Sequence, residues 1–240
     1  MTADSLHILF EDNHCIAVVK PAGLLTQGVP AGIPTLEAMV KAYLKEKYGK
    51  PGNVYLGVPH RVDRPVSGVV LFARNSKAAQ RLAEQFRERQ VTKLYWGIVE
   101  GKVEPSEGLW EDWLQKIPDE ARAEVAEPNS EGAKQAALNY RVVQPVTSSP
   151  EPTTLVEFRP ITGRMHQIRV QAAARGHPLL GDSLYGSMRT FGPAAELLRD
   201  RVIALHARSL TFLHPLSYEA VTLTAPLPAM WQEMGWLLFV

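Results

Sequence analysis

A dense group of charged side chains, HRVDRPVSG at residues 60–68, is the first candidate for chemistry. Asp63 lies between Arg61 and Arg64, just ahead of the apolar run VVLFA. Positive neighbours favour the ionised form of a carboxylate, which can act as a nucleophile or a base but not as a general acid. Because the forked donors of arginine suit phosphate, the segment indicates either a site that handles nucleotides or an exposed ion-pair cluster.

A second candidate is the stretch TGRMHQIRV, residues 162–170. Its Thr-Gly pair predicts a turn, and the following pattern predicts a helix that carries Arg164, His166 and Arg169 in its early turns. A cation at the amino end of a helix is disfavoured by the helix dipole. Arg164 is therefore expected to have an anionic partner.

Several other catalytic classes lack their motifs. In HRVDR, Val62 separates the arginine from the aspartate and no asparagine follows at the kinase offset, and no G-x-S-x-G of a serine hydrolase is present. The seven histidines include no i, i+4 pair around a carboxylate, and the one cysteine, Cys15, excludes a disulfide or a cysteine cluster. The histidines are therefore expected to be core or hydrogen-bonding residues, and no metal site is predicted from these motifs. A glycosidase stays open, since its two carboxylates need not be close in sequence.

The elements that must position these groups are more often strands than helices. Apolar runs predict strands in LHILF and CIAVV around the turn EDNH, GVVLFAR (68–74), VTKLYWGIVEG (91–101), AALNYRVVQPV (136–146), TTLVEFRPI (153–161), IALHARSLTFLH (203–214) and EAVTLTAPL (219–227). Helical spacing predicts helices over 35–48, 75–90 and 163–176 and in the tail from 228, with Thr35 as an N-cap and with Ala79, Leu82, Ala83 and Phe86 facing inward in the second.

The order of these elements favours an α+β fold over a doubly wound parallel sheet, because neighbouring strands look antiparallel. The polar region 102–135 is expected to form edge hairpins and loops. No change of composition marks a linker, so residues 1–240 are expected to form a single domain.

Composition limits the classes of partner. The 26 basic and 25 acidic residues give a net charge of +1, which argues against a non-specific nucleic-acid binder but not against a local basic patch. The first residues show no basic segment followed by a long apolar stretch, so no signal peptide is expected. No apolar run reaches the length of about 18 residues that could span a bilayer. A cytoplasmic protein is therefore expected.

HRVDRPVSG resembles the HRLDR-x-TSG signature of the RluA-type pseudouridine synthases. Further segments that resemble this family follow one another in the family's order: KPAGLL (20–25), KLYWGIVEG (93–101), TGRMHQIRV (162–170), GHPLLGDSLYG (176–186) and LHARSLTFLHP (205–215). The resemblance implies a mixed, mostly antiparallel, bifurcated sheet with flanking helices and a central active-site cleft. It also implies isomerisation of uridine to pseudouridine in structured ribosomal or transfer RNA, without cofactor or metal.

The resemblance assigns roles to individual residues. Asp63 matches the catalytic aspartate, which is expected to attack the nucleoside at the ribose C1′ or at the uracil ring. Tyr95 matches a tyrosine that stacks on the base, and Arg164 matches the arginine that pairs with the aspartate.

The remaining assignments concern RNA. Arg61 matches the residue that enters the RNA when the target nucleotide flips out, a step required because a stacked base cannot present its glycosidic bond to the cleft. Arg64, His166 and Arg169 are also expected to contact RNA, with Arg64 supporting either the loop or a phosphate.

The chain departs from the family pattern in a few places. Val62 and Val66 replace the usual Leu and Thr, and the family's Gly-Lys-x-Ala-x-Thr strand is only loosely matched by GAKQAAL (132–138). No amino-terminal S4-type domain is expected, and the oligomeric state stays open. A catalytically idle RNA-binding module is the main alternative function, and pseudouridine formation separates it from an enzyme.

Overall fold

The computed structural model describes residues 6–28, 32–146, 151–197 and 200–233. The described chain forms two compact units: residues up to Val91 with Ala207–Pro228, and residues from Thr92 to His206 with those from Ala229 onward. The strands are β1 (Ile8–Glu11), β2 (Cys15–Lys20), β3 (Ser67–Ala73), β4 (Thr92–Glu100), β5 (Glu107–Lys116), β6 (Ala123–Ala126), β7 (Lys134–Val146), β8 (Thr153–Pro160), β9 (Leu205–Leu213) and β10 (Ala220–Thr224). The helices are α1 (Leu36–Lys47), α2 (Ser76–Arg87), α3 (Gln167–Ala174) and α4 (Ala229–Glu233).

A sheet whose β1–β2, β2–β3 and β9–β10 pairs are antiparallel is the framework of the first unit. β2 lies between β1 and β3, β9 lies next to β3, and β10 pairs with β9. β2 and β3 pair without a bulge from Cys15↔Ala73 to Lys20↔Gly68. β3 is buried at every position, as expected for a short continuous apolar run. The core combines β2, β3, β9, β10 and α2 through Cys15, Ala17, Val69, Leu71, Ala73, Ala78, Leu82, Val91, Leu210, Phe212, Leu223 and Ala225.

Side-chain caps define where the two long helices begin. The hydroxyl of Thr35 accepts a hydrogen bond from the Ala38 amide at 3.2 Å, which confirms the predicted N-cap of α1. Asn75 caps α2 in the same way through the Ala78 amide at 2.9 Å. Such caps satisfy amides that have no partner within the helix.

The buried face of α2 was predicted only in part. Three of the four residues expected to face inward pack against the core, but Ala83 is exposed. Gln85 is buried instead, because its side-chain amide bonds the backbone carbonyl and the backbone amide of Leu213. Nε2 donates to the carbonyl at 2.8 Å, and Oε1 accepts from the amide at 2.9 Å. A polar side chain with both groups paired replaces an apolar contact.

The second unit is also built on antiparallel strands, in the order β4, β8, β7, β5, β6. The prediction of hairpins in 102–135 is confirmed by β5 and β6. The Trp110 ring packs 4.5 Å from Tyr140 and 5.7 Å from Phe158. α3 contacts this sheet through Val170 and through Gln171, whose Nε2 donates to the Trp110 carbonyl at 3.2 Å.

A short helix in the tail is confirmed by α4, whose Trp231 is buried. The Trp231 ring lies 5.7 Å from Phe191 and 6.1 Å from His206. The apolar WLLFV that ends the chain lies outside the described residues.

Strands flanked by helices, with antiparallel pairing inside each unit, confirm the α+β class. The expectation of one domain over 1–240 stays a prediction. None of the helices in the described ranges is long and apolar enough to cross a membrane.

Gly68 lies opposite Lys20 in the β2–β3 pair, where the backbone leaves no room for a side chain. Its φ is +120°, and a Cβ there would lie 2.6 Å from the Ala207 nitrogen and nearer still to the carbonyl oxygen. Gly68→Ala should lower the free energy of unfolding by about 3 kcal/mol or more, because strain and a backbone clash add.

The matched control is Gly49→Ala, which has φ +55° but nothing within 4 Å of the added Cβ. It should cost about 1 kcal/mol. Urea unfolding of both variants measures the difference, and equal losses would show that the contact with Ala207 is unimportant.

Candidate active site

Two buried valines anchor the loop that carries Asp63. Val62 is 5% exposed and Val66 is 2% exposed, whereas Asp63 between them is half-buried. The Val66 amide donates to the Asp63 carbonyl at 3.1 Å and closes a turn. Because both flanks are fixed in the core, the backbone of Asp63 has a defined position, while Asp63 itself is only partly buried.

His60 fixes the start of the same loop. Its Nε2 accepts a hydrogen bond from the Leu71 amide at 2.9 Å, and its ring stacks on Phe86 at 4.6 Å with planes 16° apart. The acceptor role places the ring proton of neutral His60 on Nδ1. His60 thus connects the loop to β3 and α2.

The segment after β2 holds the backbone on the amino side of Asp63. The Thr26 hydroxyl donates to the Val62 carbonyl at 2.7 Å and accepts from the Val62 amide at 3.2 Å. Thr26 is 3% exposed, so water does not compete for these bonds.

Lys20 holds the backbone on the carboxyl side of Asp63. Its side chain is fully buried, and Nζ donates to the carbonyls of Pro21 at 3.0 Å, Leu24 at 2.7 Å and Arg64 at 3.1 Å. Three carbonyl acceptors match the three donors of an ammonium group. Lys20 therefore joins the segment after β2 to the loop of Asp63.

Burial has a large effect on Lys20. Burial lowers the pKa of Lys20 from 10.5 to about 7, the Asp63 carboxylate opposes this change, and Arg64 adds to it. A buried amine loses the hydration that favours its charged form. Near neutral pH Lys20 thus changes its charge beside the carboxylate of Asp63.

Arg64 supports the loop, one of the two tasks predicted for it. Its Nε donates to the Gly23 carbonyl at 2.9 Å, and the Gly23 amide donates to the Arg64 carbonyl at 2.8 Å. Arg61 has a different environment, because its side chain is exposed. The two arginines beside Asp63 therefore differ in accessibility, and the predicted RNA contact of Arg61 stays a prediction.

Tyr95 lies on β4 in the second unit, directly opposite Phe158 on β8. Its side chain is half-buried, and the next residue, Trp96, is buried on the opposite face of the strand. Lys93 ties the start of β4 to the Thr-Gly turn, since its Nζ donates to the Thr162 carbonyl at 3.0 Å. Tyr95 thus lies two residues after a lysine that is bonded to the turn preceding Arg164.

The helix after that turn begins later than predicted. α3 starts at Gln167, and its N-cap His166 has a left-handed backbone with φ 52° and ψ 24°. Arg164 therefore precedes the helix instead of lying in its first turn, and the helix dipole does not determine its partner.

Gln167 organises the residues ahead of α3. Its Oε1 accepts from the Thr162 hydroxyl at 2.7 Å and from the Arg164 amide at 3.0 Å, and its Nε2 donates to the Ala137 carbonyl at 3.0 Å. The guanidinium Nε of Arg164 donates to the Gln135 carbonyl at 2.9 Å. Both ends of Arg164 are thus positioned by β7 and the first residue of α3.

The structure gives Arg169 a task that differs from the predicted RNA contact. Its guanidinium forms a bidentate ion pair with Asp182, at 2.6 and 2.8 Å, and the side chains are 5% and 1% exposed. A buried charge needs such a partner. The guanidinium also lies over the Tyr185 ring, 4.9 Å from its centroid. Arg169 therefore stabilises the second unit and is not placed at the surface.

His166 belongs to the same cluster. Its Nδ1 lies 2.8 Å from the Tyr185 hydroxyl, which also accepts from the Ala123 amide at 3.0 Å. The Tyr185 hydroxyl thus connects the His166 ring to the backbone of Ala123. Burial raises the pKa of Tyr185. The predicted RNA contact of His166 stays a prediction.

Asp12, Cys15 and His214 in the first unit are a candidate metal site, because one potential ligand atom of each lies within 4.8 Å of the others. The donor set does not suit a metal. Burial raises the pKa of Cys15 to about 12, whereas a metal binds the thiolate. His214 Nδ1 accepts from the amides of Leu216 and Ser217, which directs the ring proton to Nε2 and Asp12. The group is better explained as a hydrogen-bonded anchor.

Sequence reasoning missed the roles of Lys20, Thr26 and Gln167. Lys20 lies within KPAGLL and Gln167 within TGRMHQIRV, so both belong to segments that resemble the family. The resemblance gave no physical role for either residue. A lysine that ends the apolar run CIAVV, just before Pro-Ala-Gly, was the available physical clue to a buried cation.

The chain is similar to known proteins over most of its length. Residues 14–174 match the family model described as RNA pseudouridylate synthase. The chain is 37% identical over 226 residues to the dual-specificity RNA pseudouridine synthase RluA of Pasteurella multocida, a match that covers 92% of this chain and 93% of that protein. The RluA of Escherichia coli K12 is 36% identical with the same coverage. Human RNA pseudouridylate synthase domain containing 4 has a similar solved structure, with a TM-score of 0.76, 27% identity, and coverage of 96% of this chain and 92% of that one.

The pKa of Lys20 predicts a pH dependence of stability. Because its folded-state pKa is about 7 and its ordinary value is 10.5, the unfolded chain binds more protons between these values. The contribution of Lys20 to the unfolding free energy therefore increases as the pH rises through this window. The unfolding free energy of the wild type minus that of Lys20→Met should rise between pH 7 and pH 10.

Urea unfolding across this range measures the difference, with Lys77→Met on the exposed surface of α2 as the control. The control difference should be flat. A flat difference for Lys20→Met as well would contradict a lowered pKa of Lys20.

Proposed function

The chain belongs to the RluA-type family of RNA pseudouridine synthases, and from this premise we propose that Asp63 is the nucleophile in the isomerisation. The observation that supports the proposal most is the fixed loop: Thr26 and Lys20 bond the backbone of Val62 and Arg64, on both sides of a half-buried carboxylate. Catalysis depends on such positioning, because the reacting atoms must approach in a defined geometry.

The covalent steps balance without an oxidant or a reductant. One Asp63 oxygen bonds to the ribose C1′ while the C1′–N1 bond breaks. The electron pair of the broken bond stays on N1 of the released uracil. The uracil turns, C5 bonds to C1′, and the carboxylate leaves. C5 loses a proton and N1 gains one, so substrate and product are isomers. Attack at the uracil ring would give the same product with the same balance, and both routes stay open.

We propose that Tyr95 stacks on the target base. A half-buried tyrosine offers a ring face to a nucleobase, and aromatic stacking is the usual way in which proteins hold an unstacked base. Tyr95 also lies two residues after Lys93 on β4, and Lys93 bonds the turn that precedes Arg164. Assistance in removing the C5 proton is a second task for its hydroxyl.

We also propose that Arg164 pairs with Asp63. The two residues belong to different units, so this pairing rests on the family resemblance alone. The bond of Arg164 to Gln135 uses Nε, while the fork that binds a carboxylate includes the Nη groups.

The substrate we propose is a uridine in structured ribosomal or transfer RNA. The relatives from Pasteurella multocida and Escherichia coli carry the name dual-specificity RNA pseudouridine synthase. The target nucleotide must leave the stack, which is easier in a loop than in a duplex. Arg61, exposed beside Asp63, is the side chain we expect to enter the RNA in its place.

Asp63→Asn tests the proposed nucleophile, because it keeps the shape of the side chain and removes its charge. Pseudouridine formation in RNA from a strain that lacks this protein should fall to background, since an amide is a poor nucleophile. RNA affinity should stay within about twofold, because the backbone bonds that fix the loop are unchanged.

Asp119→Asn, at an exposed turn, is the matched control and should keep full activity. Retention of most activity in Asp63→Asn would eliminate the proposed mechanism. Absence of pseudouridine with the wild type would instead favour an idle RNA-binding module.

A further inference from the structure

The carboxyl-terminal half of α1 and the residues after it concentrate positive charge that the proposed chemistry does not use. Residues 41–50 contain four lysines and one glutamate, in a chain with a net charge of +1. A local excess of this kind, and not the total charge, decides where an anion binds.

One of these lysines already has a structural partner. Lys47 donates to Glu11 at 2.7 Å, and Glu11 also accepts from Tyr48 at 2.7 Å and pairs with Arg74 at 3.3 Å. Burial raises the pKa of Glu11, but the hydrogen bonds from Lys47 and its neighbours outweigh burial and lower it. This network ties the end of α1 to β1, so Lys47 has a task of its own.

Two other lysines line a groove between α1 and the loop that follows it. The groove has a volume of about 410 Å³ and is lined by Lys41, Ala42, Lys45, Gly52, Asn53 and Val54. Lys41 and Lys45 lie one turn apart, so their ammonium groups share one wall. Gly52 has φ +85° and nothing within 4 Å of the place of a Cβ, which keeps the opposite wall open.

The ion pair of Lys41 does not prevent it from binding an anion. Its Nζ lies 2.6 Å from Glu37, and the lysine side chain is 40% exposed. Exposed pairs of this type contribute little to stability, so a phosphate can exchange with Glu37. Lys45 is exposed in the last turn of α1.

α1 connects this groove to the loop of Asp63 within the same unit. The amides of Leu36 and Glu37 donate to the carbonyls of Leu25 at 2.8 Å and Thr26 at 3.0 Å, so the helix begins on the segment that holds Asp63. With a rise of about 1.5 Å per residue, Lys41 and Lys45 lie about 6 and about 12 Å further along the axis than Glu37. The two lysines therefore lie about one and about two helical turns beyond the residue whose amide bonds Thr26.

We propose that this groove binds the sugar–phosphate backbone of the substrate RNA on one side of the target uridine, with Lys41 and Lys45 as the phosphate contacts. The identity of the ligand as RNA rests on the proposed function. An ammonium group contacts phosphate as a point charge and reads no base. The groove therefore adds affinity and fixes the register of the RNA without selecting a sequence.

The test compares the double variant Lys41→Gln/Lys45→Gln with the control Lys77→Gln/Arg87→Gln. The control removes the same charge from α2, a helix of equal length in the same unit, and Arg87 has glutamate partners as Lys41 does. The probe is a fluorescent uridine-containing RNA hairpin of about 30 nucleotides, titrated at about 50 to about 200 mM salt.

The slope of log Kd against log salt should fall by about 1.4 to 1.8 in the groove variant, since each lost phosphate contact removes about 0.7 to 0.9. Affinity at low salt should fall about tenfold, and the control should differ little from the wild type. In the activity assay the groove variant should show a higher KM with an unchanged kcat.

Equal slopes in the groove variant and the control would overturn the proposal. So would an unchanged slope with a lower Tm, because lysines near the end of a helix also interact with its dipole. If the wild type forms no pseudouridine, the proposed function fails, while the salt slopes still decide whether the groove contacts phosphate.

Discussion

The hydrogen bonds of the buried Lys20 ammonium are the constraint on which the first unit depends. They join two segments that are 44 residues apart in the chain, and the segment after β2 cannot move without moving the Arg64 carbonyl. A fully buried cation is costly unless its donors are paired, and here three backbone carbonyls pair them. The register of β2 and β3 sets the position, since Lys20 lies opposite Gly68.

In the second unit a neutral side chain, that of Gln167, fixes the backbone beside a charged residue. Gln167 uses both ends of its amide to connect β7, the Thr-Gly turn and the Arg164 backbone. In both units a buried polar side chain holds the backbone beside a charged residue, and the charged side chain is left for other partners. Satisfied buried networks of this kind rigidify a site, and the nucleophile role that we propose for Asp63 requires such positioning.

Sequence reasoning succeeded where local rules decide the outcome. The pattern of apolar residues located β1–β4 and β7–β10, but not the positions of β5 and β6. Thr35 was correctly predicted as a cap, because a cap is a contact over three residues. It failed where contacts between distant segments decide. Gln85 is buried through Leu213, Arg169 through Asp182, and α3 begins at Gln167 because that side chain bonds Ala137 and Thr162. Leu213 and Ala137 lie far outside the window that a periodicity argument uses, and the contacts with Asp182 and Thr162 are specific side-chain bonds that no apolar period encodes.

The central claim is that the segment after β2 positions Asp63 for attack, and Thr26→Val tests it most directly. The substitution keeps the shape of the side chain and removes only the hydroxyl that bonds Val62. The rate of pseudouridine formation at saturating RNA should fall about tenfold or more with unchanged RNA affinity, because small displacements of a reacting group are costly. Thr222→Val, exposed on β10, should match the wild type. A rate for Thr26→Val equal to that of this control would contradict the account.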